Sequence, residues 1–409
     1  MTPGPTALPT LDHPPPLPID GAWMTDVLLR MLRTPSPSGR TDAVMQLIGD
    51  VMVEIGLPFG LTRRGALVAE LPGRSNSVDR AVVVHADTIG CMVRALKDNG
   101  RLSVIPIGSF SARFAEGARV TIFVEEPDRV YSGTVLPLKA SGHAFGHEIE
   151  EQGVGWDHVE VRVDQRAANA DDLRALGIQV GDSVALVASP EVTDSGFLVS
   201  RHLDGKAGVA AALAAVKAIV DGGVELQHKA SLLVTIAEEV GHGASHGLGD
   251  DVAEMVSVDN AVCAPGQHSI EHGVTIPMAD MTGPFDYHLT RRLCRLSRDA
   301  GIAHARDTFK WYRSDVAAAL ESGAGTRAAL IAFGLDGSHG WERTELASVD
   351  AVARLLTIWL QTSLTFASWD ATPLGPLREF PSSSQPAPEE EWGRLPPDDD
   401  PDPRAEPER

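Results

Sequence analysis

The 409-residue sequence predicts an α/β fold in two parts: an α/β domain with a small β domain inserted into it. Three observations carry this. Helix-like and strand-like segments alternate over residues 21–95, and the same rhythm returns from Gly205 onward. Between them, residues 96–190 hold short β-rich pieces punctuated by Gly and Pro, the texture of a small barrel or meander. Apolar residues make up 43% of the chain and aromatics only 5%, which is ample core material but too few rings for an aromatic-rich binding sandwich.

Residues 1–20 hold seven of the 28 prolines and read as a disordered tail, with too little apolar surface to offset ordering entropy. A helix is expected from Trp23 to Leu32, broken by the Pro-Ser-Pro-Ser-Gly run at 35–39, and a second from Thr41 to Ile55. A strand follows at Arg80 to His85. The insert contributes LSVIPIG (102–108), RVTIFVEE (119–126), VYSGTVLPL (130–138), GHEIEEQGVGWDHVEVRVD (146–164) and VGDSVALVA (180–188). A helix from Lys206 to Asp221 stops at Gly222-Gly223, residues able to form its C-cap. Strands KASLLVTIA (229–237), MVSVDN (255–260) and RAALIAF (327–333) complete an α/β domain drawn from residues 21–95 and 191–368. Residues 369–409 read as a second disordered tail, with nine acids against three arginines from Glu389 onward. Such a tail is a solvating segment or a dock for a basic partner.

Lysine and arginine total 35 against 56 acids, a formal net charge of −21. That charge repels phosphate backbones and anionic lipid surfaces, which argues against nucleic-acid and membrane partners. Only Cys91, Cys263 and Cys294 occur, without a CxxC, so neither a disulfide framework nor a zinc finger is available. No signal peptide is visible, and the longest apolar stretch, about residues 207–220, is interrupted by Lys217. A cytoplasmic location is expected.

Open α/β sheets place their sites at the carboxyl ends of strands. Here those ends carry His85-Ala86-Asp87, Glu238-Glu239, Asp259 and Ser338-His339, while Asp204 precedes the long helix. Two histidines with several carboxylates suit a pair of divalent ions, zinc, cobalt or manganese. His85 and Asp87 are two apart on an extended segment and share a face, so Asp87 can accept the second imidazole N–H. Of the adjacent Glu238 and Glu239, one can bind metal while the other takes a proton from water.

At these residues the sequence resembles the cocatalytic metallo-aminopeptidases of the tetrahedral (deblocking) and glutamyl aminopeptidase type. The matching pieces are HADTIG (85–90), LDGKAG (203–208), AEEVGHGA (237–244), the Asp of SVDN (257–260) and SHGWERT (338–344). The resemblance covers about residues 22–365 and implies a zinc-aminopeptidase-like α/β domain with a mixed sheet and an inserted β-barrel. It implies that His85 and Asp259 bind one ion, that Glu239 and His339 bind the other, and that Asp204 bridges them. Glu238 is then the general base acting on the bridging water, and Asp87 orients His85. Asp204–Gly205 becomes a candidate cis peptide, and Asp315, in Ser314-Asp315, a substrate-binding or supporting residue. The family usually has Glu where Thr88 stands and a second Asp where Gly205 stands. A short peptide or peptide amide is the implied substrate, and a homo-oligomer of up to twelve subunits the implied assembly. LDGKAG and SHGWERT look closest to a branch tied to an osmoprotectant system built on N-acetylglutaminylglutamine amide.

His143, His147, His158, His202, His242, His246, His268, His272, His288 and His304 lack such support and read as solvent-facing or hydrogen-bonding groups. His242 and His246 are spaced like a helical zinc pair, but Gly243 and Gly247 favour a loop. No P-loop, GxGxxG or serine-nucleophile elbow is read. Two other functions compete: a non-catalytic scaffold binding partners through its acidic tail, and an endoglucanase. The second needs two carboxyls and no metal, which would leave both histidines idle.

Overall fold

The computed structural model describes residues 14–75, 77–126, 129–366, 370 and 372–374. The chain opens with α1 (Gly21–Leu32) and α2 (Asp42–Ile55). In α1, the Asp20 carboxylate accepts the Trp23 N–H at 3.0 Å, and Met24, Val27, Leu28, Met31 and Leu32 form one buried stripe. The hairpin β1 (Phe59–Leu61) and β2 (Leu67–Leu71) leads to β3 (Val78–His85).

The insert then begins. It contains β4 (Gly90–Leu96), β5 (Arg101–Ile107), α3 (Ala112–Ala115), β6 (Arg119–Phe123) and β7 (Val130–Pro137). Next come α4 (Gly142–Phe145), α5 (Glu148–Glu151), β8 (Val159–Val163), α6 (Ala170–Ala175) and β9 (Ser183–Leu186). Its strands close a barrel in the order β4-β5-β8-β7-β6-β9 around a core of its own that includes Val93, Leu102, Ile122, Val135, Val161 and Val184. The barrel starts at Gly90, earlier than the expected 96. The reason is that Gly90–Leu96 pairs antiparallel with β5 and β9 rather than with the main sheet.

Past the barrel lie β10 (Glu191–Val192), β11 (Phe197–Ser200), α7 (Leu203–Asp221), β12 (Lys229–Thr235), β13 (Glu254–Val262), β14 (Val274–Asp280) and β15 (Gly283–Pro284). The chain continues with α8 (Tyr287–Asp299), β16 (His304–Thr308), α9 (Asp315–Glu321), β17 (Arg327–Leu335), β18 (Glu342–Glu345) and α10 (Leu346–Gln361). The main sheet runs β1-β2-β12-β3-β13-β17-β14-β15, with β16 on β14. Its centre, β12-β3-β13-β17, is parallel, with Thr235 level with His85 and Asp259 level with Ala332. Mixed sheet and inserted barrel are the architecture expected from the sequence. The helix α7 is rich in alanine and almost wholly buried, which small side chains permit.

Two expectations are corrected. Residues 14–20 are docked rather than disordered: Leu17 and Ile19 pack on the core, and the Leu17 N–H donates to Thr357 Oγ1 at 3.1 Å. At the other end, Asp370 is fixed by Arg327, whose Nε donates to both of its carboxylate oxygens at 2.9 and 3.1 Å. Residues 1–13 and most of the expected C-terminal tail lie outside the described residues.

Candidate metal centre

Parallel strands that all end on one side bring the predicted residues together. His85 is the last residue of β3, Glu238 and Glu239 follow β12, Asp259 lies in β13, and His339 sits in the loop after β17. Asp204 begins α7 through a bend, with backbone angles of φ −54°, ψ 119° at Asp204 and φ 74°, ψ −53° at Gly205. That geometry resembles a type II turn, whose third position favours glycine. The Asp204–Gly205 bond is trans, since the described residues contain no cis peptide, which corrects the expected cis bond; Gly205 takes a positive φ there. A Cβ at Gly205 would lie 2.4 Å from His85 Cε1, so this position has no room for the family's usual aspartate.

Two donor groups result: His85, Asp204 and Asp259, and Asp204, Glu239 and His339. Asp204 belongs to both. Its Oδ1 lies 3.3 Å from His85 Nε2 and its Oδ2 lies 3.2 Å from His339 Nε2. His85 Nε2 is 3.8 Å from Asp259 Oδ1, and His339 Nε2 is 3.3 Å from Glu239 Oε2. An ion held tetrahedrally at about 2.1 Å sets its donors roughly 3.4 Å apart, close to these separations. His85 Nε2 is buried without a hydrogen-bond partner, as a nitrogen reserved for a cation would be. Imidazole with carboxylate is the donor set that zinc, cobalt and manganese share. The residues therefore fit a pair of divalent ions.

Electrostatics agree. Burial disfavours charge on His85, yet Asp204, Asp259 and Asp87 outweigh it and lift its pKa well above the usual value. Burial likewise opposes charge on His339, but Glu239 and Asp204 push it up to about 12. Asp204 is held below the ordinary carboxylate range, because both imidazoles overcome the cost of burying it. Glu238 moves the other way: burial, with Asp259, Asp315 and Glu239 acting against His85, raises it well above the usual value. In the metal-free chain, protons on the two imidazoles thus occupy places that cations would take.

The remaining site residues show what supports these groups. Asp87 meets His85 through its side chain as well as its backbone, with His85 Nδ1 3.6 Å from Asp87 Oδ1. His85 Nδ1 lies 3.1 Å from the Asp87 backbone oxygen, while the Asp87 carboxylate accepts the N–H groups of Glu238 (3.1 Å) and Glu239 (3.3 Å) and the Ser38 hydroxyl (2.5 Å). It thereby fixes the glutamate loop as well. Asp315 is 2% exposed and accepts from Thr235 Oγ1 and the Ala244 N–H, both at 2.7 Å. It braces the same loop and does not line the cavity, which is the supporting rather than the substrate-binding one of the two expected roles.

The barrel reaches the site too. The Ser109 carbonyl lies 3.1 Å from His339 Nδ1, and the Ile89 N–H donates to Glu239 Oε1 at 3.2 Å. Asn260, missed in the sequence although adjacent to Asp259, donates from Nδ2 to Asp204 Oδ2 at 2.7 Å. His242 and His246 lie in a turn-rich loop after β12, as their neighbouring glycines predict. Residues 243–247, GASHG, match GxSxG as a string. The run is not a strand-to-helix elbow, and Ser245 Oγ donates to the His242 carbonyl.

A cavity of about 410 Å³ opens over Asp204, Glu238, Glu239, Asp259 and His339, with Val262, Met281, Trp311 and Tyr312 on its walls. Against this geometry, the model of the M42 glutamyl aminopeptidase family matches residues 65–355. The chain belongs to that family. As an M42 aminopeptidase it is a peptide hydrolase of the metallo-aminopeptidase type. It is similar to the putative aminopeptidase YhfE of Bacillus subtilis, at 33% identity over 339 residues, covering 83% of this chain and 97% of the relative. A lysyl aminopeptidase of Pyrococcus furiosus matches at 24% identity over 38% of this chain and 43% of its own length. Among solved structures, aminopeptidase APDkam598 from Desulfurococcus kamchatkensis superposes with a TM-score of 0.77 at 20% identity, covering 87% of this chain and 99% of its own. The TET1 peptidase of Pyrococcus horikoshii, which can assemble into a tetrahedron or a large octahedral shell, gives 0.71 at 19% identity, covering 82% and 99%. These likenesses extend the M42 fold to both the main sheet and the barrel. Among the described residues, no helix is long and apolar enough to cross a membrane.

Proposed function

We propose that this M42 protein is a two-metal aminopeptidase that removes the N-terminal residue of short peptides. The observation that carries the proposal is Asp204, whose two oxygens face two different imidazoles, each in its own donor group. His85 and Asp259 hold one ion, Glu239 and His339 the other, and Asp204 joins them; zinc, cobalt and manganese all suit these donors. When bound, the ions polarise the scissile carbonyl and make water a competent nucleophile near neutral pH.

Glu238 takes a proton from the attacking water and delivers it to the leaving amine. Its raised proton affinity in the metal-free site suits a group that must hold a proton mid-reaction. Asp87 sets the angle of that base by gripping its backbone N–H. The acidic floor of the cavity attracts a free N-terminal ammonium, and Val262, Met281, Trp311 and Tyr312 give a side chain an apolar wall to lie on. The shell-forming neighbour from Pyrococcus horikoshii supports self-assembly of this chain as well.

The test is a library of short peptides, free, N-acetylated and amidated, incubated with metal-loaded protein with and without chelator and read by mass spectrometry. Chelator-sensitive loss of single N-terminal residues from free peptides is expected, and Glu238→Gln should abolish turnover while both metals stay bound. Near-normal turnover by that variant would remove Glu238 from its role. Cleavage confined to blocked or amidated dipeptides would move the substrate to the osmoprotectant branch.

A further inference from the structure

Glu342, at the start of β18, is 1% exposed and lies outside the donor groups above. Its Oε2 accepts the N–H groups of Leu203 at 2.6 Å and Asp204 at 3.1 Å, and its Oε1 accepts the His339 N–H at 2.9 Å. One carboxylate therefore ties together the backbones of two proposed ligands on separate segments, Asp204 lying 138 residues before Glu342 in the chain. The arrangement follows from strand pairing: β18 runs antiparallel to β11 with Glu342 opposite Ser200, two residues before His202. Both gripped segments contain a non-glycine residue at positive φ, His202 at 66° and His339 at 62°. Such conformations persist only where the surroundings over-determine them.

We infer that Glu342 is a positioning residue, setting the separation of Asp204 and His339 so that Asp204 can face both imidazoles at once. The inference rests on the two-metal reading above. Both oxygens act as acceptors, because backbone donors arrive at each of them. A glutamine could satisfy only one side, and its amide N–H groups would point at the donors on the other, leaving a buried donor unpaired. An aspartate keeps both oxygens but is one methylene too short to reach both segments.

The experiment titrates Co²⁺ into the metal-free full-length chain, followed by visible absorption, for wild type, Glu342→Gln, Glu342→Asp and Arg343→Gln. Arg343 is the control, because its guanidinium pairs with Glu271 and Asp336 and lies over the Phe197 ring, outside both donor groups. Circular dichroism and thermal unfolding report folding, and peptide hydrolysis gives kcat and KM separately. Glu342→Gln is expected to stay folded, to bind Co²⁺ about 10–100-fold more weakly at one site, and to lose kcat with little change in KM. Glu342→Asp should lose affinity as well, and Arg343→Gln should match wild type. Wild-type Co²⁺ affinity in either Glu342 variant would overturn the positioning role. So would failure of both variants to fold, since Glu342 would then serve the scaffold alone. Failure of the wild type to bind Co²⁺ would instead strike the two-metal reading itself.

Discussion

Replacing Gly205 with alanine adds a single methyl group at a crowded point of the site. The residue adopts φ 74°, ψ −53°, which an L side chain reaches only at a cost of about 1–3 kcal/mol. The new Cβ would also sit 2.4 Å from His85 Cε1 and 2.5 Å from its Nδ1, far inside contact distance. Overpacking of this kind costs a further 1–3 kcal/mol or so, because the imidazole has to move. Gly205→Ala should therefore destabilise the metal-free chain by roughly 2–6 kcal/mol, the sum of the two terms. It should weaken metal binding too, because any shift of His85 opens its 3.3 Å approach to Asp204. Gly249→Ala is the control: nothing lies within 4 Å of its added Cβ. Urea unfolding of the metal-free proteins, followed by Co²⁺ titration, reads both effects. If Gly205→Ala unfolds at the wild-type midpoint and binds Co²⁺ with wild-type affinity, the packing of His85 against the Asp204 turn is wrong.

Asp87→Asn leaves the backbone carbonyl that faces His85 untouched but weakens the grip on the Glu238-Glu239 loop, so kcat should fall about 10–100-fold in steady-state assays. Metal affinity should rise with pH and fall as the solution is acidified, because both imidazoles hold protons more tightly than usual and must release them to bind an ion. Calorimetry in buffers of different ionisation enthalpy should register net proton release; none would contradict the charge balance described here. Trp311→Ala removes an exposed wall of the cavity and should raise KM for peptides with a bulky apolar first residue near fivefold, for the loss of about 1 kcal/mol of apolar contact, with kcat little changed.

Much of this site is visible in the sequence because parallel strands all end on the same side of a sheet. A ligand-bearing residue just past an apolar run is thereby assigned to that side before any coordinates exist. His85, Glu239, Asp259 and His339 follow this rule, and the structure brings them together around Asp204. What stayed hidden depends on which atom of a residue makes the bond. The spacing of His85 and Asp87 places them on one face, but not which Asp87 oxygen the imidazole meets first; the carbonyl lies at 3.1 Å and the carboxylate at 3.6 Å, and the carboxylate also holds the next loop. Asp315 shows the same limit, since a carboxylate beside the site in sequence terms proved to be buried against Thr235 and Ala244. Glu342 lies inside a quoted motif yet acts on segments brought beside it only by the pairing of β18 with β11. The early start of the barrel and the docking of residues 14–20 are likewise tertiary outcomes, set by partners distant in the chain.

The central claim is that Asp204 joins two metal ions that this chain needs for hydrolysis. Its most direct test measures metal content by mass spectrometry alongside peptide hydrolysis, for wild type and Asp204→Asn, before and after chelation. Two ions per chain in the wild type, activity lost on chelation and restored by metal, and both ions weakened together in Asp204→Asn are the predicted result. Hydrolysis undiminished by chelator, or full occupancy of both sites in Asp204→Asn, would contradict it.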